Sequence, residues 1–306
     1  MHFKRIKTSK LPLILISLIF LPLLAVFSGC QKKKGSLQNE SELSSQLIKT
    51  WDFLGEAVPP QICEPELEAL PPARALVWSG TVSHHLLAEK QIDSWFGEIA
   101  KRRKVKTFFI ICPSHYGLSA QNWSLDNICW QTKKGPVYTD EEIESQLARA
   151  LGVTYESQVF PEEHGVNVLI PYISQYFPKA KVCVIAVEGE PPLNQKKAQK
   201  LADALAPYFT EAGKKENFLL ISTDFAHHGD YEGTEFKDNR SRVFFDNPSA
   251  STWIFCGCDN RPGIYVLSRF LSPKTKNAVL YHTNSFELSG LDGNDITSYF
   301  FSLFYD

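Results

Sequence analysis

Apolar and polar positions along this chain switch between two periods. Short apolar runs of strand length recur at residues 75–78, 107–111, 182–187, 218–221 and 278–281. Each is bounded by polar or turn-forming residues and reads as a buried strand. Between these runs apolar residues fall three and four apart. Residues 85–101 place Leu86, Ile92, Trp95, Phe96 and Ile99 on one helical face, and residues 195–211 do so with Ala198, Leu201, Leu205 and Tyr208. Residues 261–271 repeat the pattern with Ile264, Leu267 and Phe270. Residues 140–151 begin at Thr139 or Asp140 with acids in the first turn, which suits a helix start. Strands alternating with helices predict an α/β fold, a largely parallel central sheet flanked by helices. Residues 297–304 are rich in aromatics and read as a last strand at the sheet edge. No repeat and no linker-like stretch follows residue 72, so one domain over 51–306 is expected.

Polar chemistry gathers where the apolar runs end. Run 218–221 leads into Ser222-Thr-Asp-Phe-Ala-His-His-Gly229, and run 107–111 into Cys112-Pro-Ser-His-Tyr-Gly117. His84 and His85 follow run 75–78. Five of the eight histidines lie in these three clusters, which is where open α/β sheets collect ligand and catalytic groups. A fourth segment, Phe255-Cys-Gly-Cys-Asp-Asn-Arg-Pro262, adds two thiols and a carboxylate. Such donors suit iron, copper or zinc, and two His with one carboxylate or thiolate would make a site with open positions. No zinc-finger or His-Glu-x-x-His spacing is present. Glu163 and His164 read as an acid/base pair, as a capped helix start, or as both. Asp224 reads as an outer carboxylate or a cap. His282 follows an apolar run and reads as a core or edge residue, and Trp123 and Trp130 as packing of a hairpin around Asp126.

The first thirty residues follow a different pattern. Residues 2–10 are basic, residues 11–27 are uncharged and mostly apolar, and Ser28-Gly-Cys30 follows. That is an export signal over 1–29. A Cys after Ser-Gly resembles the lipobox of bacterial lipoproteins, which implies lipidation of Cys30 and anchoring to a membrane without a spanning helix. A short transmembrane anchor is the alternative. Residues 30–50 are polar and Ser-rich, a flexible tether. Gln31 is not an Asp-type retention residue, so an outer-membrane or cell-surface destination is expected. Net charge is −2 with no basic stripe, which points away from nucleic acid. Of seven cysteines, Cys112 and Cys183 sit in or beside apolar runs and read as small hydrophobes. Pairing of Cys63 with Cys129 stays open.

Five elements, in order, resemble the Memo family, also called AmmeMemoRadiSam system protein B. They are Val82-Ser-His-His-Leu-Leu-Ala88, Cys112-Pro-Ser-His-Tyr116, Glu163-His164 with Leu169-Ile-Pro171, the 222–229 segment, and Cys256-Gly-Cys-Asp-Asn-Arg-Pro262. The likeness covers roughly residues 73–304. That family is similar in fold to class III extradiol dioxygenases, so the resemblance implies a three-layer core with a pocket for a redox metal, iron or copper. It implies metal ligands at His84, His115 and Cys256, with Cys258 and Asp259 as alternatives because the loop is longer here. It implies proton-handling or supporting roles for His164, Asp224 and His227. Ser83 and Cys112 stand where the family has Pro and Gly. Two functions follow from the resemblance. One is a metal-dependent, dioxygenase-like oxidoreductase acting on a small molecule, with a functional association to a radical-SAM protein. The other is a non-catalytic, membrane-tethered module that binds a metal or a peptide.

Overall fold

Alternating side chains of the central strands face two different helical layers, and that sets the architecture. The computed structural model describes residues 46–49, 61–188 and 194–306. Residues 1–45, which hold the expected signal, Cys30 and most of the tether, lie outside them. In chain order the first elements are β1 (Gln46–Lys49), β2 (Val77–Val82), α1 (Glu89–Arg102), β3 (Thr107–Pro113), β4 (Trp123–Ser124), β5 (Ile128–Thr132) and β6 (Gly135–Tyr138). Then come α2 (Glu141–Leu151), α3 (His164–Asn167), α4 (Ile170–Tyr176), β7 (Lys181–Val187), α5 (Gln195–Leu205), α6 (Gly213–Glu216) and β8 (Asn217–Ser222). The last are β9 (Phe225–Gly229), α7 (Tyr231–Asp246), α8 (Arg261–Arg269), β10 (Lys276–Asn284), α9 (Ser285–Ser289) and β11 (Ile296–Tyr305).

The main sheet runs in the order β10-β11-β2-β8-β3-β7-β4, with β9 also paired to β11. Strands β2, β8, β3 and β7 are mutually parallel, and antiparallel strands flank this block. Strands β1, β5 and β6 make a separate three-stranded sheet. On one face Phe108, Ile110, Val182, Val184, Phe218 and Leu220 pack with Ile92, Trp95, Phe96 and Ile99 of α1. On the other, Phe109, Ile111, Cys183, Ile185, Leu219 and Ile221 pack with residues of α2, α5, α7 and α8, among them Leu147, Leu201, Phe244 and Ile264. Even and odd positions thus feed opposite layers, as the two-residue period of a strand requires. Burial on both faces is why these strands read as unbroken apolar runs. The fold is the expected α/β one, a large central sheet between helical layers.

Two expectations need correction. Strand β11 is not at the edge; it lies between β10 and β2 and pairs with β9 as well. Its aromatics serve both layers, Phe300 and Phe304 on one face and Tyr299 and Phe301 on the other. The segment after Asp224 is β9, so Asp224 caps no helix, and the residue that caps the following helix is Asp230, whose Oδ1 accepts from Gly233 N at 2.8 Å. That helix, α7, has no sequence signal because Phe236 and Val243 are exposed while Phe244 and Phe245 are buried, so its apolar residues form no single stripe. Cys63 and Cys129 are both free thiols, one exposed and one buried. Among the described residues no helix is long and apolar enough to cross a membrane.

Gly80 marks a close approach between β2 and β11. A Cβ there would lie 2.3 Å from Ser302 O and 2.7 Å from Trp95 Cζ2. Trp95 Nε1 already donates to Ser302 O at 2.9 Å, so neither neighbour can retreat without losing that bond. Gly80→Ala is expected to lower stability by about 2–3 kcal/mol. Denaturant unfolding should show a reduced midpoint at unchanged slope.

Candidate metal centre

Strands β2, β8 and β3 lie side by side and parallel, so their carboxyl ends open onto one place. His84 follows β2, Asp224 follows β8, and His115 follows β3. His164, at the start of α3, joins them. Ligand atoms of His84, His115 and His164 all lie within 4.8 Å of one another, the group among the described residues that can hold a metal ion. Ring centroids are 4.9 Å apart for His84 and His115, 5.1 Å for His84 and His164, and 4.0 Å for His115 and His164.

Each ring has one nitrogen committed to the protein. His84 Nδ1 meets Ser222 Oγ at 2.9 Å. Ser222 donates its only proton to the carbonyl of Gly165, so it accepts from His84 Nδ1–H. His84 Nε2 is then the bare nitrogen when the ring is neutral. His115 Nδ1 lies 2.6 Å from Glu163 Oε1, and the same carboxylate accepts from the backbone of His115 and of Gly165 at 2.9 Å each. Tyr116 OH lies 2.9 Å from His164 Nδ1. In all three rings Nε2 is left for a ligand, and a partner on the other nitrogen fixes the tautomer of a metal-binding His.

Glu163 therefore caps α3 and orients His115, rather than its sequence neighbour His164. Glu163 is drawn below its ordinary range because, although burial opposes it, the bonds from His115 and Gly165 favour the carboxylate. Burial works against a charge on His115 too, but the facing Asp259 and Glu163 carboxylates outweigh it and raise the ring to about 9. His164 goes the other way, to about 4, through burial first and then the charges of His115 and His84. His84 is buried, which disfavours its charge, yet Asp224 and Asp259 leave it net raised.

The loop after α7 brings Asp259, not Cys256, to the imidazoles. Ala226 N donates to Gly257 O and Asp259 N to Asp224 O, both at 3.1 Å, and these bonds zip the loop onto the start of β9. Asp259 Oδ1 accepts from Thr223 Oγ1 at 2.7 Å and Asp224 N at 3.0 Å. Oδ2 then faces His84 Nε2 at 3.4 Å, His227 Nε2 at 3.5 Å and His115 Nε2 at 3.8 Å. Oδ2 has no hydrogen-bond partner, and neither has the buried Asp224 Oδ1. Donors bound about 2.0–2.1 Å from one metal at tetrahedral angles lie about 3.4 Å apart, so these separations match the edges of a ligand shell better than hydrogen bonds. Burial would raise Asp259, but the three imidazoles hold it well below the usual carboxylate range. Orphaned carboxylate oxygen and converging bare imidazole nitrogen form a donor set that fits a transition metal.

Of the expected site residues, His84, His115, His164, Asp224 and His227 come together here. Asp224 Oδ2 is 3.8 Å from His84 Nε2. His227 sits between Ala226 at φ 40° and His228 at φ 55°, two left-handed non-glycine residues that fix where its ring points. Cys256, expected as third ligand, is buried but is not in the ligand group; its N–H bonds back to Trp253 O at 3.1 Å. Cys112 packs in the core beside the site, and burial above all keeps its thiol protonated. His228 turns outward to Asp295, and His282 bonds Asp238 at 2.9 Å away from the site. Sequence reasoning missed Asn260, which donates to Ile111 O at 2.8 Å and Ser222 O at 2.9 Å and so ties the loop to the ends of β3 and β8. Its signal is an Asn two residues before a Pro, the start of a capped helix. Tyr299 was missed as well; its OH pairs with His85 Nδ1 at the rim.

The sequence model of the Memo-like protein family matches residues 80–246. That stretch contains His84, His115, His164, Asp224 and His227 and ends before Asp259. A MEMO1 family protein of Caldivirga maquilingensis is 27% identical over 173 residues, 56% of this chain and 57% of the relative. One from Pyrobaculum arsenaticum is 28% identical over 181 residues, 59% and 60% of the two chains. One from Saccharolobus solfataricus is 25% identical over 234 residues, 72% and 76%. The match thus spans little more than half the length of the first two relatives.

The opposed shifts of His115 and His164 set a stability profile for the metal-free protein. His115 is raised, so its contribution is complete below about pH 6.5 and is lost as pH climbs through 9. His164 is depressed, so its contribution is complete above about pH 6.5 and is lost as pH falls through 4. Unfolding in the presence of a chelator should show a loss on the order of 2–3 kcal/mol from pH 6.5 to 9. A flat profile over that interval would contradict the assignment.

Proposed function

This chain belongs to the Memo-like family, and on that premise we propose that it is a metal-dependent oxidoreductase of dioxygenase-like type. Iron or copper is held by Nε2 of His84, His115 and His164 with the Asp259 carboxylate beside them. The observation that carries this reading is the convergence of three imidazoles, each with its other nitrogen fixed by Ser222, Glu163 or Tyr116. When bound, such a metal supplies open positions at which oxygen and a substrate are activated. The chain's own residues do the rest. Glu163 and Ser222 keep the rings aimed. Asp259 and Asp224 place negative charge against the cation. His227, at the boundary between the imidazoles and the neighbouring cleft, is placed to take or return a proton at Nε2. The same reading takes the protein as exported and tethered through lipid on Cys30 at the outer membrane or cell surface. It is then a component of a pathway that includes a radical-SAM protein, with a small molecule or peptide as substrate.

Metal analysis of protein kept reduced and anaerobic should find about one iron or copper per chain in the wild type and none in the His84→Ala/His115→Ala double variant. Oxygen uptake with a panel of catechols then separates an enzyme from a metal-binding module. Metal without uptake supports the tethered binding module, and absence of any metal defeats both metal readings.

The donor beside the three imidazoles is separately testable. Asp259→Ala should weaken metal binding about 10- to 100-fold, whereas Cys256→Ser should leave it within a factor of about two. The reverse ranking, read from metal competition with a chelator, would restore the thiol as ligand.

A further inference from the structure

A cleft of about 290 Å³ adjoins the imidazole centre and is not used by the metal reading. His227 and Asp259 form its inner wall, and Cys256, Gly257 and Cys258 its floor. Lys237 and Arg240 enter from α7, and Arg261 from the first turn of α8. Ile254 and Phe255, both exposed, give it an apolar rim.

Three cations converge on this space with no anion to answer them. The one carboxylate in the wall is Asp259, and both its oxygens face elsewhere, Oδ1 to Thr223 and the Asp224 amide and Oδ2 to the imidazoles. Among the described residues, no carboxylate lies within ion-pair distance of Lys237, Arg240 or Arg261. Arg261 Nε is buried with no hydrogen-bond partner, and its terminal nitrogen reaches only Ile254 O at 3.4 Å. Lys237 Nζ spends one proton on His227 O at 2.8 Å and keeps two. A buried guanidinium N–H without an acceptor is costly, and an oxyanion in the cleft would supply that acceptor. The two thiols add no competing charge, since burial above all holds both in the neutral form.

We infer that this cleft is the seat of a small organic anion, whose carboxylate or phosphate head is held by Lys237, Arg240 and Arg261. The volume is at the lower limit for a small-molecule site, which suits a compact ligand with a short apolar body against Ile254 and Phe255. From that seat the body of the ligand passes His227 and Asp259 to the imidazole centre. The head-group site stands on the cations alone; its use as a substrate anchor rests on the metal reading.

Calorimetric titration of the full chain tests this, with succinate and inorganic phosphate as probes and succinamide as the uncharged control. Metal content is measured on every sample, and circular dichroism confirms folding. Succinate or phosphate is expected to bind and succinamide not, and the tighter of the two identifies the preferred head. Arg240→Gln and Arg261→Gln should each weaken that binding about tenfold or more without changing metal content. Arg240 is exposed, so its variant stays informative if Arg261→Gln misfolds. The His84→Ala/His115→Ala variant should lose metal yet keep the anion affinity. No binding of either anion to the wild type, or unchanged binding in a folded Arg240→Gln protein, overturns the anion seat and leaves the metal reading standing.

Discussion

Ser222 has one hydroxyl proton, and it goes to the carbonyl of Gly165. The oxygen can then only accept from His84 Nδ1–H, so His84 must present Nε2 unprotonated when neutral. Those two bonds link three elements: the end of β8, the ring after β2, and α3, which carries His164. The centre depends on them, because the imidazoles come from segments far apart in sequence and share no backbone. Asn260 repeats the device on the other side, donating to Ile111 O and Ser222 O and holding the Asp259 loop against the same strand ends.

Charge in the site is arranged by opposition. Glu163 and Asp259 pull His115 toward protonation, while His115 and His84, on top of burial, push His164 away from it. Two rings 4.0 Å apart thus favour different protonation states at neutral pH. A divalent ion among them would displace the His115 proton and satisfy the orphaned Asp259 Oδ2 at once, so metal affinity and proton release are linked. The cationic cleft on the far side of His227 has the opposite sign to the carboxylate-lined centre, and the two abut without cancelling.

Much of this was legible in the sequence. Parallel strands buried on both faces must read as apolar runs, and histidines just beyond three such runs had to meet if the strands were neighbours. The strand order that makes β2, β8 and β3 neighbours is a tertiary fact, and only the family resemblance hinted at it. Glu163 looked like the partner of His164 because they are adjacent; in space it serves His115, forty-eight residues earlier. Cys256 outranked Asp259 by family pattern, but the turn that pins Gly257 and Asp259 to β9 decides which side chain faces the rings. β11 looked like an edge strand because aromatics suit edges; its two-faced burial follows from β10, β2 and β9 all pairing with it.

The donors of the centre are contributed by the ends of different strands and by loops, with no short local motif among them. A newly made chain therefore offers no ready trap for a cation until the β2–β8–β3 block has closed, and long-range parallel pairing is slow to form. Any loading would have to come after folding. An ion suited to this donor group could then be captured only where the sheet is completed, not where the polypeptide is made.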